Sequence, residues 1–227
     1  YKAGRKGMPD ELRQQVLILK ELLDFLGCHV VEKEGYEADD ILGTISAAAC
    51  RQNAECVIAT GDRDTLQLVN PCVTVMLAAT KFGKAETIVY DIAAIREKYG
   101  LSPEQLIDLK ALMGDQSDNI PGVPGIGEKT ALDLMQKYGS LDYIYENLDS
   151  LEIRDSLKAK LRAGKDSAYL SRRLGTICCD VPIELDVNAY LQKPVKRAEL
   201  ASLLTRLEFF TFIERLGLNT VSIEAYE

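Results

Sequence analysis

Three short acidic groups carry the chemistry that this sequence is equipped to do. Glu37-Ala38-Asp39-Asp40 opens a helical pattern just after Gly35-Tyr36. Asp62-Arg63-Asp64 follows the apolar run Cys56-Val57-Ile58-Ala59, and Asp115-Gln116-Ser117-Asp118 follows a helical pattern that ends at Gly114. Taken singly, each group reads as a helix cap, because acids at a helix start meet the positive end of the dipole and accept from free backbone N–H groups. Taken together, they read differently. Carboxylates gathered at one place repel unless they are protonated or bound to cations. Oxygen-only donors suit Mg²⁺ or Mn²⁺. Two such ions, about 3.5–4 Å apart, are a common device for phosphodiester cleavage: one generates hydroxide, and both stabilise the attacking and leaving oxygens.

A second stretch points to phosphate by another route. Ile120 to Ala131, rich in Gly and Pro, reads as a helix, a tight Gly-x-Gly turn and a second helix. Gly125 and Gly127 permit positive φ and bare the backbone. The first N–H groups of the following helix can then aim at a phosphate. This is the pattern of helix-hairpin-helix elements, which grip DNA without reading bases. A plain turn between helices is the competing reading. Basic residues gather at Lys2, Arg5 and Lys6, and again at Lys158, Lys160, Arg162, Lys165, Arg172 and Arg173. The second run reads as a solvated helix face or as an extension of a DNA track. The net charge of −8 by itself argues against nucleic acid, since phosphate contacts need bases. The objection weakens if the acids concentrate at a metal site and the bases along a duplex path.

The elements that must position these groups alternate in the first half. Leu12, Val16, Leu19, Leu23 and Leu26 recur at helical spacing after Pro9-Asp10-Glu11, and Gly27 ends that helix. Cys28–Val31 reads as a strand, 37–50 as a helix, 56–59 as a buried parallel strand, and 73–77 and 87–90 as further strands. The alternation predicts a parallel sheet covered by helices, with function beyond the carboxyl ends of its strands. From Asp91 onward the chain reads as helical, starting with a capped helix at Ser102-Pro103-Glu104-Gln105. Cys178 to Pro182 reads as a short strand or an extended link.

At 227 residues, 47% hydrophobic and 27% charged, the chain can build a real core. No apolar run is long enough to span a bilayer and no signal peptide is visible, which sets the expectation of a cytoplasmic protein. The six cysteines fit neither a zinc pattern nor a disulfide framework, so buried thiols in a reducing compartment are expected. His29, the sole histidine, falls in the expected strand and reads as structural.

The motifs taken in order resemble one family. Tyr1-Lys2-Ala3-Gly4-Arg5, Gly35-Tyr36-Glu37-Ala38-Asp39-Asp40, Thr60-Gly61-Asp62-Arg63-Asp64 and Gly114 to Gly127 resemble the 5′-nuclease (5′-3′ exonuclease) domain of bacterial DNA polymerase I, in the flap endonuclease superfamily. The resemblance covers residues 1 to about 217. It implies an α/β fold: a parallel-sheet nuclease core followed by a helical helix-hairpin-helix (helix-3-turn-helix) DNA-binding subdomain. Residues 1–100 would be the C-terminal part of the core, 101–217 the helical subdomain and 218–227 the start of a linker or tail.

The same resemblance implies roles. Glu37 and Asp39 would hold a first Mg²⁺ or Mn²⁺; Asp62, Asp64, Asp115 and Asp118 would hold a second, with Asp40 behind them. Lys2 and Arg5 would contact the scissile phosphate. Gly122, Val123, Gly125, Ile126, Gly127, Lys129 and Thr130 would bind duplex backbone, with a K⁺ ion at the turn. Substrates would be DNA with a 5′ flap, nick or 5′ end, and strands carrying RNA primers, acted on by a monomeric parent without a membrane. In the family, a strand bearing a metal-binding Asp and a later strand bearing another come first; both would precede Tyr1. Residues 1–227 alone are therefore expected to cleave poorly. Two other readings compete: a non-catalytic fragment that binds DNA structures, and a stand-alone nuclease not fused to a polymerase.

Overall fold

The computed structural model describes residues 7–81 and 83–219. Lys2 and Arg5, and most of the expected tail, lie outside the described residues. The elements run α1 Asp10–Phe25, α2 Ala38–Arg51, β1 Cys56–Thr60, β2 Val73–Lys81, β3 Lys84–Tyr90, α3 Ile92–Tyr99, α4 Gln105–Met113, α5 Glu128–Tyr138, α6 Leu141–Glu146, α7 Asp155–Ala163, α8 Lys165–Gly175, α9 Arg197–Arg206 and α10 Phe210–Arg215.

Among the described residues, contacts form two compact units, one holding Gly35–Leu185 and the other 7–34 with 186–219. In the first, the strands form a sheet in the order β1-β2-β3. β1 and β2 pair in parallel, as expected, with Ile58 opposite Val75. β3 departs from the all-parallel expectation: it returns antiparallel along β2, joined by a short turn through Gly83 (φ +76°). A turn that short permits only the antiparallel return, whereas a parallel return needs a crossover. Ile58, Val73, Val75, Leu77 and Tyr90 fill one face of the sheet and pack with Leu66, Val69 and Ile95. The opposite face leaves Val57, Met76 and Val89 exposed.

The helical part of this unit has its own core, built from Leu109 and Leu112 on α4, Leu134 and Met135 on α5, Leu141 and Ile144 on α6, Leu161 on α7 and Ala168 on α8. The helix expected to start at Ser102-Pro103 begins at Gln105 instead, and of the expected capping pair only one half forms, with the Gln105 side chain accepting from the Ser102 N–H at 2.7 Å. The helix before the Gly/Pro stretch ends at Met113, so 114–127 is one long loop and not a tight turn between helices.

The second unit collects α1, α9 and α10 around Leu200, Ala201, Leu204 and Leu218. Cys28–Val31 is not a strand. The chain just before it is held by hydrogen bonds from the 192–196 segment, among them Lys193 N–H donating to the Gly27 carbonyl at 2.9 Å. Gly27 has φ +76°, and a Cβ there would lie 2.0 Å from the Lys193 oxygen, so the close approach requires glycine. The His29 ring sits 2.9 Å from the Leu191 carbonyl and edge-on to Tyr190, in keeping with a structural role.

The cysteines also depart from expectation. Cys50 at the end of α2 and Cys72 before β2 form a disulfide, while Cys28 and Cys179 are exposed. Nothing in the spacing marks that pair; the packing of α2 and β2 around β1 brings it together. Among the described residues, no helix is long and apolar enough to cross a membrane.

Candidate functional site

A cavity of about 250 Å³ gathers acids from three separate parts of the chain. Its walls carry Glu37, Asp39, Asp40, Asp64 and Asp118, together with Arg173 and the segment Leu174–Cys178. Each acid arrives by a local device. The first three belong to the start of α2. Asp40 spends both oxygens on backbone: Oδ2 accepts from the Glu37 N–H at 3.0 Å and Oδ1 from the Cys178 N–H at 2.9 Å. It therefore joins the helix start to the 177–181 segment and leaves Glu37 and Asp39 at the cavity.

Asp64 comes from the 3₁₀ turn Arg63–Leu68 that follows β1. Asp62 caps that turn by accepting from the Asp64 N–H at 2.9 Å, and it is exposed outside the cavity lining. Asp115 and Asp118 sit in a closed loop after α4. Gly114 (φ +74°) turns the chain, and Asp115 and Ile120 then exchange both backbone hydrogen bonds, at 2.9 and 2.7 Å. Asp118 is 8% exposed.

One cation in this site was missed by motif reading. Lys110, on buried α4, donates to both Asp64 oxygens at 2.5 Å and lies 2.7 Å from Asp115 Oδ2. The available signal was a lone charge beside Asp108 inside the apolar run Leu106–Leu112. The two carboxylates respond unequally. Burial pushes Asp64 up, and Lys110 offsets this only in part. Burial also raises Asp115, but Lys110 and Ser117 outweigh it and bring the carboxyl down to about 2. Lys110 itself is lowered by burial and raised more by its two acids.

Five carboxylates line one cavity, with Arg173 beside them and the Lys110 ammonium on Asp64, and hard oxygen donors of this kind fit Mg²⁺ or Mn²⁺. Among the described residues, however, no three acids stand close enough to form a ready ligand set. Asp64 and Asp115 are bridged instead by the Lys110 ammonium.

The Gly/Pro loop is pinned from beneath. Gly122 (φ +61°) donates to Ser171 Oγ at 2.9 Å and accepts from Ser167 Oγ at 2.6 Å, and a Cβ on it would lie 2.3 Å from the Gly114 nitrogen. Val123 and Ile126 are buried in the helical core. Gly125 has the expected positive φ, but Gly127 does not: it sits at φ −98° as the N-cap of α5, and a Cβ there meets nothing within 4 Å. Its role is to bare the helix start. Gly125, Gly127 and Lys129 are exposed, Thr130 is half-buried, and Lys160 Nζ lies 3.1 Å from the Gly125 carbonyl.

The basic run is less available than its sequence suggests. Arg172 pairs with Asp142 at 2.9 Å and with buried Asp108 at 3.0 Å, and Arg162 pairs with Asp149.

Comparison with known proteins places the chain firmly. Two family models match it: the 5′-3′ exonuclease N-terminal resolvase-like domain over residues 1–100 and the 5′-3′ exonuclease C-terminal SAM fold over residues 101–198. DNA polymerase I of Caldicellulosiruptor bescii is 47% identical over 221 residues, which is 97% of this chain and 26% of that protein. DNA polymerase I of Bacillus subtilis is 42% identical over 224 residues, 99% of this chain and 25% of that one. The chain thus spans about a quarter of these relatives. Among solved structures, T5 5′-exonuclease with bound zinc superposes with TM-score 0.63 at 24% identity, covering 90% of this chain and 73% of that one. The catalytic core of Rad2 in complex with DNA substrate gives 0.60 at 19% identity, covering 94% and 71%. Likenesses at these identities establish the fold: an α/β nuclease core with a helical subdomain.

Proposed function

The chain belongs to the 5′-3′ exonuclease family, and from that premise we propose that its parent protein hydrolyses DNA phosphodiesters at 5′ flaps, nicks and 5′ ends, including strands that carry RNA primers. The observation that carries this reading is the single cavity shared by Glu37, Asp39, Asp40, Asp64 and Asp118. Residues 1–100, together with Asp115 and Asp118, would supply the chemistry, and the rest of 101–217 the grip on duplex.

Glu37 and Asp39 would hold one divalent ion. Asp64, Asp115 and Asp118 would hold a second, with Asp62 joining through water from the start of its turn. Bound there, Mg²⁺ or Mn²⁺ would supply an activated water and neutralise charge on the reacting phosphate. Asp40 keeps the first two acids in place through its two backbone contacts. Arg173, exposed on the cavity wall, can meet a phosphate oxygen, and Lys2 and Arg5 would approach the scissile phosphate from outside the described residues.

The bare start of α5, with Gly125, Gly127, Lys129 and Thr130 at or near the surface, would accept a phosphate of the duplex. Val123 and Ile126 have buried side chains and would contribute only backbone. The family's K⁺ would have to share the Gly125 carbonyl with Lys160. That zinc is bound to T5 5′-exonuclease and DNA to Rad2 supports both halves of this reading.

One observation favours a second reading. Lys110 already satisfies Asp64 and Asp115, as it would in a module that binds DNA without cutting it. Flap cleavage by the intact parent in Mg²⁺ separates the two. Binding without Mg²⁺-dependent product would leave the non-catalytic reading standing.

A further inference from the structure

Lys110 is held as few lysines are. Its residue is 9% exposed and the side chain 11%. Its stem lies along α8 at Gly175, where an added Cβ would come within 3.1 Å of the Lys110 Cδ. Its ammonium has three hydrogens and three near acceptors: both oxygens of Asp64 at 2.5 Å and Asp115 Oδ2 at 2.7 Å. The two acids come from different elements, one after β1 and one after α4, and both accept from the same ammonium. A single positive charge between two carboxylates leaves the trio at −1, so further positive charge is still favoured nearby.

We propose that Lys110 is a built-in placeholder cation, which holds Asp64 and Asp115 together while no divalent ion is present and competes with that ion for their oxygens. This rests on the metal-dependent nuclease reading and adds a device to it. A divalent ion reaching these oxygens meets an ammonium at the same atoms, in a region where water screens little. The four-carbon stem lets the ammonium swing aside without moving α4, since lysine binds as a point charge and not as a rigid fork. Metal-free stability and metal affinity are then linked with opposite sign. A lysine needed only for packing would change both in the same direction when removed.

The test uses the intact parent protein. Lys110→Met keeps the stem against Gly175 and removes the charge. We expect the metal-free protein to melt at lower temperature and Mn²⁺, measured by calorimetry, to bind this site about tenfold more tightly, a size typical of groups that tune metal ligands. Lys110→Arg keeps the charge as a rigid fork and should bind Mn²⁺ no more tightly than wild type. Unchanged or weaker Mn²⁺ binding in Lys110→Met overturns the placeholder role. Should that variant not fold, wild type suffices. Reductive methylation followed by mass spectrometry should modify Lys110 slowly without metal and several-fold faster in saturating Mg²⁺, and equal labelling in both conditions overturns the proposal. If wild type shows no Mn²⁺ binding that Asp64→Asn removes, the metal reading itself fails. If wild type binds but Lys110→Met does not tighten, only the placeholder role fails.

Discussion

Asp64 meets two demands that pull apart: it lines the acidic cavity and it accepts a buried ammonium. Burial raises its pKa, so the carboxylate depends on neighbouring cations to stay charged. Asn at this position keeps the shape and removes the charge. In the intact parent, Asp64→Asn should lower flap hydrolysis in Mg²⁺ on the order of 100-fold or more, while flap affinity measured in Ca²⁺ changes little. Asp62→Asn should also slow turnover, but less, because Asp62 is exposed and outside the cavity lining. Steady-state rates for the two variants check the order, and a larger loss at Asp62 would reverse these roles. At this scale the acids were legible in the sequence because they stand in compact groups at element ends. Lys110 was not, because a lone lysine in a helix usually snorkels to solvent, and only the fold shows two acids above it.

The elements divide the labour between building and binding. Arg172 belongs to a basic run, yet it is tied to Asp142 and to Asp108, a buried residue whose carboxyl is raised by burial. Removing its charge strands a buried acid. Arg172→Met should therefore destabilise the protein by about 3 kcal/mol in urea unfolding and leave duplex affinity at low temperature nearly unchanged. Lost affinity with unchanged stability would return Arg172 to the DNA track.

Asp142 adds a pH dependence. Its pKa is lowered first by the hydrogen bond from Arg172, then by Tyr169. The stabilisation is thus complete above the unfolded value of 3.8 and is lost as pH falls through the lower folded one. The melting difference between wild type and Asp142→Asn should shrink on acidification below about pH 4; a difference that grows would show the pair unfavourable.

In the hairpin loop, Gly122→Ala should disrupt folding, since φ is +61° and the Cβ would strike the Gly114 backbone. Gly127→Val should fold normally and weaken duplex binding about equally for all sequences, because only the bare start of α5 is covered. Strong dependence on base sequence would rule out the phosphate cradle. Helices with caps and strands with apolar runs were readable from the sequence. The antiparallel return of β3 and the long 114–127 loop were not, since periodicity fixes an element's type and not its partner.

Over the whole molecule, the sheet bares Val57, Met76 and Val89 on one face, and among the described residues β1 has no partner on its outer edge. Exposed apolar strands invite pairing with another chain. Residues 1–227 produced alone should associate as concentration rises, and Val89→Lys should reduce the association seen by light scattering. Monomers at all concentrations would show that this face tolerates water. The disulfide between Cys50 and Cys72 was illegible for a reason of the same scale: only the packing of α2 and β2 around β1 makes them neighbours. If one cavity of carboxylates performs metal-dependent cleavage of DNA, as proposed, then removing the charge of one of them must stop it. The most direct test is to measure 5′-flap cleavage by the intact parent and its Asp64→Asn variant in Mg²⁺, with flap binding in Ca²⁺ beside it. Wild type should cleave, the variant should lose nearly all cleavage, and both should bind equally; cleavage undiminished in Asp64→Asn would rule out catalysis through this cavity.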